Sequence, residues 1–191
     1  MRSIRVTYNA PFVLSLALLA LAMMAATTLT AGNARDLLFV LPGSFDFKDP
    51  LDYVRLFTHV LGHADWSHFT ANFTVILLIG PILEEKYGTG PLILIACLTA
   101  AASGALHVLL FSSGLTGASA IAFMMILLGS LVNMRKGTLP ATFIVVVVLY
   151  LGHEIIAIFK DDDISQFAHI MGGLCGAAFG YWWSQGQGAS A

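Results

Sequence analysis

The chain has 191 residues, of which 58% are hydrophobic and only 10% are charged, and its formal net charge is −2. Soluble domains carry about 25% charged residues, and a chain of this length cannot hide so much apolar surface from water. The composition therefore predicts a single membrane domain over residues 1–191, with the lipid bilayer as its solvent. The chain has no basic stripe, no glycine-rich phosphate loop and no zinc-type cysteine spacing, so no nucleic acid partner, cofactor or metal is expected.

The first apolar run, residues 11–31, follows two arginines in the manner of a signal peptide. The apolar part of a signal peptide is about 7–15 residues long. A helix that crosses a bilayer needs about 20 apolar residues, and the run is long enough for that. We therefore interpret it as a retained transmembrane helix.

Residues 32–66 form a long connection in which apolar patches alternate with charges. Connections longer than about 12–15 residues are uncommon in compact domains and are often functional. The mixture of apolar and charged residues is typical of structure that lies in the membrane interface. We therefore predict an interfacial loop between the first and second helices.

Five further apolar runs follow, separated by glycine, proline, serine or charged residues. Together with the first run they predict an all-α membrane protein, a bundle of six transmembrane helices at approximately residues 11–31, 67–86, 89–111, 117–133, 139–159 and 164–183.

The orientation of the bundle is predicted from the distribution of lysine and arginine between its two sides. The side of the N-terminus has slightly more of these residues, and it includes the adjacent pair Arg135 and Lys136 at the end of the fourth run. We therefore predict a multi-pass protein with both termini in the cytoplasm. The second, fourth and sixth helices then begin on the outer side.

Polar residues near the outer ends of these three helices fall at one depth. Asn72 and His169 each lie about five residues into their helices, which is roughly 7–8 Å at 1.5 Å per residue. The fourth run is short, which places Ser119 about 8 Å below the surface if the inner end is held by its cations. His68 shares a helix face with Asn72. A nucleophile, a possible base and two hydrogen-bond donors in one layer indicate an acyl-transfer site.

Small residues recur every four positions in the sixth run, at Ala168, Gly172, Gly176 and Gly180. This spacing lets a neighbouring helix approach backbone to backbone. Gly117 has no side chain and lets the start of the fourth helix pack closely. If the fourth helix is that neighbour, Ser119 comes within hydrogen-bond range of His169. Taken singly, each of these residues is more often structural than functional, so the prediction depends on their combination.

The motifs resemble those of the rhomboid intramembrane proteases, in their basic six-helix bacterial form, over roughly residues 51–183. Arg55 to Asn72 resembles the stretch that leads into the second helix of that family, and Gly80 to Glu84 resembles the end of that helix. Leu115 to Ala120 resembles the Gly-x-Ser-Gly nucleophile motif. Ala168 to Gly176 resembles the Ala-His-x-x-Gly pattern of the sixth helix.

The resemblance implies a serine protease with a catalytic dyad of Ser119 and His169. His68, Asn72 and the backbone N–H of Ser119 are the expected oxyanion donors, and Phe123 is expected to stack on the imidazole. The positions three and four residues from His169 hold no carboxylate, which favours a dyad over a triad. Glu154 in the fifth helix is a second candidate to orient the ring. No metal or nucleotide is required.

The implied substrates are transmembrane segments of other proteins, which enter beside the fifth helix, and the implied location is a bacterial inner membrane. Ala120 replaces the glycine that usually follows the nucleophile, which leaves open a catalytically impaired relative that binds membrane helices without cutting them. A small channel or transporter is a further alternative, although such a protein would have polar residues through the whole bilayer depth. The oligomeric state stays open.

Overall fold

The computed structural model of the protein describes residues 7–158 and 166–186. Regular structure within these ranges is helical, which confirms the all-α prediction, and Leu41 and Leu115 form an isolated antiparallel bridge. The α-helices in chain order are α1 Pro11–Leu29, α2 Asn33–Leu38, α3 Pro50–Thr58, α4 Trp66–Tyr87, α5 Thr89–Leu110, α6 Ser119–Ser130, α7 Ala141–Ile158 and α8 Gln166–Gly186, and a 3₁₀ turn spans His59–Leu61.

Six of these helices, α1 and α4 to α8, lie at the six predicted apolar runs. Among the described residues, α1, α4 and α5 are long and apolar enough to cross a membrane. The start of the sixth predicted run and the acidic residues before it lie outside the described residues, as do the side chains of His153 and Glu154. That all six helices cross the bilayer stays a prediction.

The helix in the fourth predicted run, approximately residues 117–133, is shorter than the run itself. Helix α6 begins at Ser119 and ends at Ser130. Gly117 has a φ of +124°, which no helical residue adopts, so the helix can begin only after it. At about 1.5 Å per residue, α6 is roughly 18 Å long. Ser119 is therefore the first helical residue rather than one inside the helix.

The segment between α1 and α4 contains α2, α3 and the 3₁₀ turn, and side-chain hydrogen bonds hold these parts together. Arg55 donates to the backbone oxygen of Leu37 from Nε at 3.1 Å and to Asp52 from Nη1 at 2.8 Å. Asp52 is buried and also accepts from the backbone N–H of Asp46. Apolar side chains of α3 nevertheless face outward, including Val54 at 52% and Phe57 at 48% exposure.

Helix α6 is the centre of the bundle, and its main partner is α8. Small residues of α8 meet the backbone of α6 directly. A Cβ on Gly172 would lie 2.1 Å from the carbonyl oxygen of Ala120, and a Cβ on Gly176 would lie 2.2 Å from that of Met124. The two contacts fix both the rotation and the register of α8 against α6.

Buried Glu84 joins α1 to α4 and α5. Its Oε1 accepts from the backbone N–H of Phe12 and the hydroxyl of Thr89, and its Oε2 accepts from the N–H of Val13. The first N–H groups of a helix have no partner inside the helix, and a carboxylate there complements the helix dipole. Glu84 therefore fixes the start of α1 against the rest of the bundle.

Candidate active site

Ser119 is half-buried at the N-terminus of α6, and the loop before it is bonded to the segment between α1 and α4. Leu41 and Leu115 exchange two backbone hydrogen bonds of 3.0 and 2.9 Å. The N–H of Gly117 donates to the carbonyl oxygen of His59 at 2.9 Å. The conformation of the residues just before Ser119 is thus set by a part of the chain more than fifty positions earlier.

His63 adds a side-chain bond to the same loop. Its Nε2 accepts from the backbone N–H of Ala118 at 3.2 Å, and the residue is 1% exposed. Burial lowers the pKa of His63 to about 4, an effect to which the neighbouring His68 contributes. The ring is therefore neutral at pH 7 and keeps the lone pair that the Ala118 N–H requires. Sequence reasoning did not single out His63, because a histidine beside an apolar run has the same pattern whether it fills a core or supports a site.

His68 lies against the loop at Gly117. A Cβ on Gly117 would lie 2.6 Å from Cε1 and 2.9 Å from Nε2 of His68, so the ring occupies the space that any other residue would need. Asp65 caps α4 by accepting from the N–H of His68 at 2.8 Å. Two of the residues predicted for the site, His68 and Gly117, are in direct contact.

Asn72 lies one turn further along α4 and is buried at 8% exposure. Its Nδ2 has no hydrogen-bond partner among the described residues. A buried amide donor without a partner costs about 1–3 kcal/mol. The amide is therefore a candidate donor to a substrate or to ordered water.

His169 is buried in the first turn of α8, and its ring packs on that of Phe123 with centroids 4.3 Å apart. Phe123 lies one turn after Ser119 on α6 and also contacts the ring of Tyr150 at 4.6 Å. The close contact between Ala120 and Gly172 lies beside this stack. The Ser119–His169 hydrogen bond itself stays a prediction.

Ala120 is accommodated without separating the helices. The residue is 2% exposed and belongs to a buried cluster with Leu41, Leu115 and Ala168. The backbone of Ala120, and not its methyl group, faces Gly172 where α6 and α8 approach each other. The glycine on the facing helix provides the space.

The described side chains include no group of three His, Cys, Asp or Glu residues arranged to hold a metal ion. Two further histidines are bonded to backbone carbonyls. His59 Nδ1 is bonded to the carbonyl oxygen of Arg55, and His107 Nε2 to that of Ser113.

The apolar helices and their packing define an integral membrane protein with a serine and a histidine on adjacent helices. The family model for the rhomboid domain matches residues 50–186, which is most of the chain and includes every residue predicted for the site. The chain therefore belongs to the rhomboid family. No curated protein sequence gives a significant match.

Proposed function

We propose that the protein is an intramembrane serine endopeptidase that hydrolyses peptide bonds in or near the transmembrane segments of other membrane proteins. The observation that carries this proposal is the stack of His169 on Phe123, one turn from Ser119, on two helices in backbone contact. A histidine oriented beside a serine is the arrangement that activates a hydroxyl nucleophile.

In the first half of the reaction, Oγ of Ser119 attacks the carbonyl carbon of the substrate while His169 accepts the hydroxyl proton. The carbonyl oxygen becomes an oxyanion. Collapse of the tetrahedral intermediate breaks the C–N bond, and the leaving amine takes the proton from His169. In the second half, water attacks the acyl-enzyme by the same route and regenerates Ser119.

Three donors are proposed for the oxyanion: the backbone N–H of Ser119, His68 and Asn72. The N–H of Ser119 belongs to the first turn of α6, where no intrahelical acceptor exists. The Asn72 amide lacks an acceptor among the described residues. Preorganised donors of this kind act on the charge that develops in the transition state.

An apolar groove of about 500 Å³ lies between α7 and the pair α4 and α6, with Ile82, Ile126 and Val146 among its lining residues. The groove lies near the end of α6 away from Ser119, so substrate entry beside α7 is proposed from the family resemblance and not from this groove. We further propose that the protein is in a bacterial inner membrane with both termini in the cytoplasm, and that its substrates are other membrane proteins.

The test is cleavage of a transmembrane substrate in liposomes by the wild type, Ser119→Ala and His169→Ala. Both variants should lose cleavage, while Ser130→Ala, at the opposite end of the same helix, should keep it. Equal cleavage by the wild type and Ser119→Ala would overturn the assignment.

The alternative is that the protein is a catalytically impaired rhomboid relative, which binds membrane helices without cutting them. The reason to consider it is Ala120, which replaces the usual glycine. The burial of Ala120 in a packed cluster weighs against it. A fluorophosphonate probe separates the two functions, because it labels only an activated serine. If the probe does not label Ser119 in folded wild-type protein, the impaired relative is favoured.

A further inference from the structure

A cavity of about 270 Å³ lies at the end of the bundle opposite Ser119. It is bounded by the last turn of α4, the turn that follows α6 and the last two turns of α8. Three cationic residues line it, Lys86, Arg135 and Lys136, together with the aromatic side chains of Tyr87 and Trp183. The candidate active site uses none of these residues.

The cations around this cavity are not neutralised by the protein. Within the described ranges, Lys86, Arg135 and Lys136 form no ion pair, and no carboxylate lines the cavity. On the adjacent part of α4, Glu84 is buried in its bonds to α1, and Glu85 is exposed without an ion pair in the described chain. The cavity therefore presents three uncompensated positive charges.

With α4 as a membrane-spanning helix, the cavity falls at the boundary between hydrocarbon and water. Helix α4 has 22 residues, or about 33 Å, which is close to the thickness of about 30 Å of the bilayer core. Lys86 and Tyr87 end that helix. Tyrosine and tryptophan are enriched at this level of a membrane, and basic pockets between helices there are suited to anionic headgroups.

One wall of the cavity is cationic and the other is aromatic and apolar, which matches the polar and apolar parts of an amphiphile. Lys86, Arg135 and Lys136 are exposed on the solvent side, whereas Tyr87 and Leu131 are buried behind them. Lysine at a helix C-terminus also complements the helix dipole, which explains Lys86 alone. It does not explain why two further cations beyond the end of α6 converge on the same cavity.

We propose that this cavity binds the phosphate headgroup of an anionic phospholipid, with Lys86, Arg135 and Lys136 as the phosphate ligands and the aromatic wall in contact with the glycerol and the first part of the acyl chains. The size is somewhat below the range of about 300–1,000 Å³ of small-molecule sites, which suits a headgroup rather than a whole lipid. The site is independent of the proposed protease activity, since it lies at the other end of α6.

The test measures thermal unfolding of the full chain in detergent with added phosphatidylglycerol, phosphatidylcholine of the same acyl chains, or inorganic phosphate. A ligand that binds only the folded state raises the unfolding midpoint. Phosphatidylglycerol should raise it by several degrees, and the other two should not at the same concentration. An equal rise with phosphatidylcholine, or with inorganic phosphate alone, would overturn the proposal in favour of general lipid binding or a free anion.

Variants locate the effect. The combined substitutions Lys86→Gln, Arg135→Gln and Lys136→Gln should abolish the phosphatidylglycerol shift. The matched control Lys48→Gln, an exposed lysine of the segment between α1 and α4, should keep it. Native mass spectrometry gives a readout that does not depend on stability, with retained phosphatidylglycerol expected for the wild type and Lys48→Gln only. Unchanged retention in the triple variant sinks the proposal.

Discussion

The ring of His169 packs on the ring of Phe123 with centroids 4.3 Å apart and planes inclined by 35°. Phe123 belongs to α6 and His169 to α8, so the stack joins the two helices that carry the proposed dyad. No acidic residue lies one turn from His169 on its own helix. Aromatic packing is therefore the contact that we propose orients the imidazole.

Replacing Phe123 tests that role. Phe123→Leu should lower kcat by about 3–10-fold with little change in KM, because an aromatic pair contributes about 0.5–1.5 kcal/mol and the ring no longer fixes the base. Phe123→Tyr keeps the ring and should keep most of the activity. Steady-state cleavage in liposomes measures both parameters. A higher KM with an unchanged kcat for Phe123→Leu would show that the ring serves substrate binding instead.

The contact between α6 and α8 predicts a large effect for Gly172→Ala. The new Cβ would lie 2.1 Å from the carbonyl oxygen of Ala120, so the helices must separate. Overpacking of this kind costs about 1–3 kcal/mol or more. Gly186→Ala, on the same helix with no atom within 4 Å of the added Cβ, is the control. In detergent, the thermal unfolding midpoint of Gly172→Ala should be lower than that of the wild type. The midpoint of Gly186→Ala should equal that of the wild type.

Gly117→Ala combines two penalties, since the position has a φ of +124° and a Cβ there would lie 2.6 Å from Cε1 of His68. Gly137 also has a positive φ, +78°, but nothing within 4 Å. Gly137→Ala should therefore cost only the backbone term of about 1–2 kcal/mol. Gly117→Ala should in addition displace His68 and lower cleavage at least tenfold. Similar activity in the two variants would remove His68 and its loop from the site.

Glu84→Gln should destabilise the fold by about 1–3 kcal/mol. The carboxylate accepts three hydrogen bonds, two of them from backbone N–H groups of α1. An amide would point its own N–H₂ at one of these donors. The neighbouring Glu85 is exposed, so Glu85→Gln should leave the unfolding midpoint unchanged. Chemical or thermal unfolding of both variants distinguishes a buried helix cap from a surface charge.

Stability should fall on acidification between pH 6.5 and about 4. Burial lowers the pKa of His59 and of His63 from 6.5 to about 4, so in this window the unfolded chain binds protons that the folded chain does not. The free energy of unfolding is then largest above pH 6.5 and decreases towards pH 4, by up to about 1.4 kcal/mol per pH unit for each histidine.

His63→Gln isolates one share of this pH dependence. The glutamine oxygen can still accept from the N–H of Ala118, but it does not titrate. The unfolding midpoint of the variant should therefore vary less between pH 6.5 and 4 than that of the wild type. An unchanged pH dependence would show that His63 is not among the groups that take up protons on unfolding.

The positions of the long helices could be predicted from the sequence almost to the residue. Helices α1, α4 and α5 lie within two residues of the runs 11–31, 67–86 and 89–111. The bilayer makes this possible, because a spanning segment must satisfy its own backbone hydrogen bonds and be apolar along its whole length. Both requirements are local. The loop that precedes α6 could not be predicted, because only the folded chain imposes a positive φ on Gly117.

The sequence by itself determined the helical class, the family motifs and the candidate residues. Only the tertiary structure decided which of them meet: His68 with Gly117, His63 with the N–H of Ala118, and Phe123 with His169. These contacts join elements far apart in the chain, and they depend on the rotation and register of packed helices. The close approach of Gly172 and Gly176 to α6 fixes that register. A polar residue in one helix has no function until a neighbouring helix is packed at the correct height.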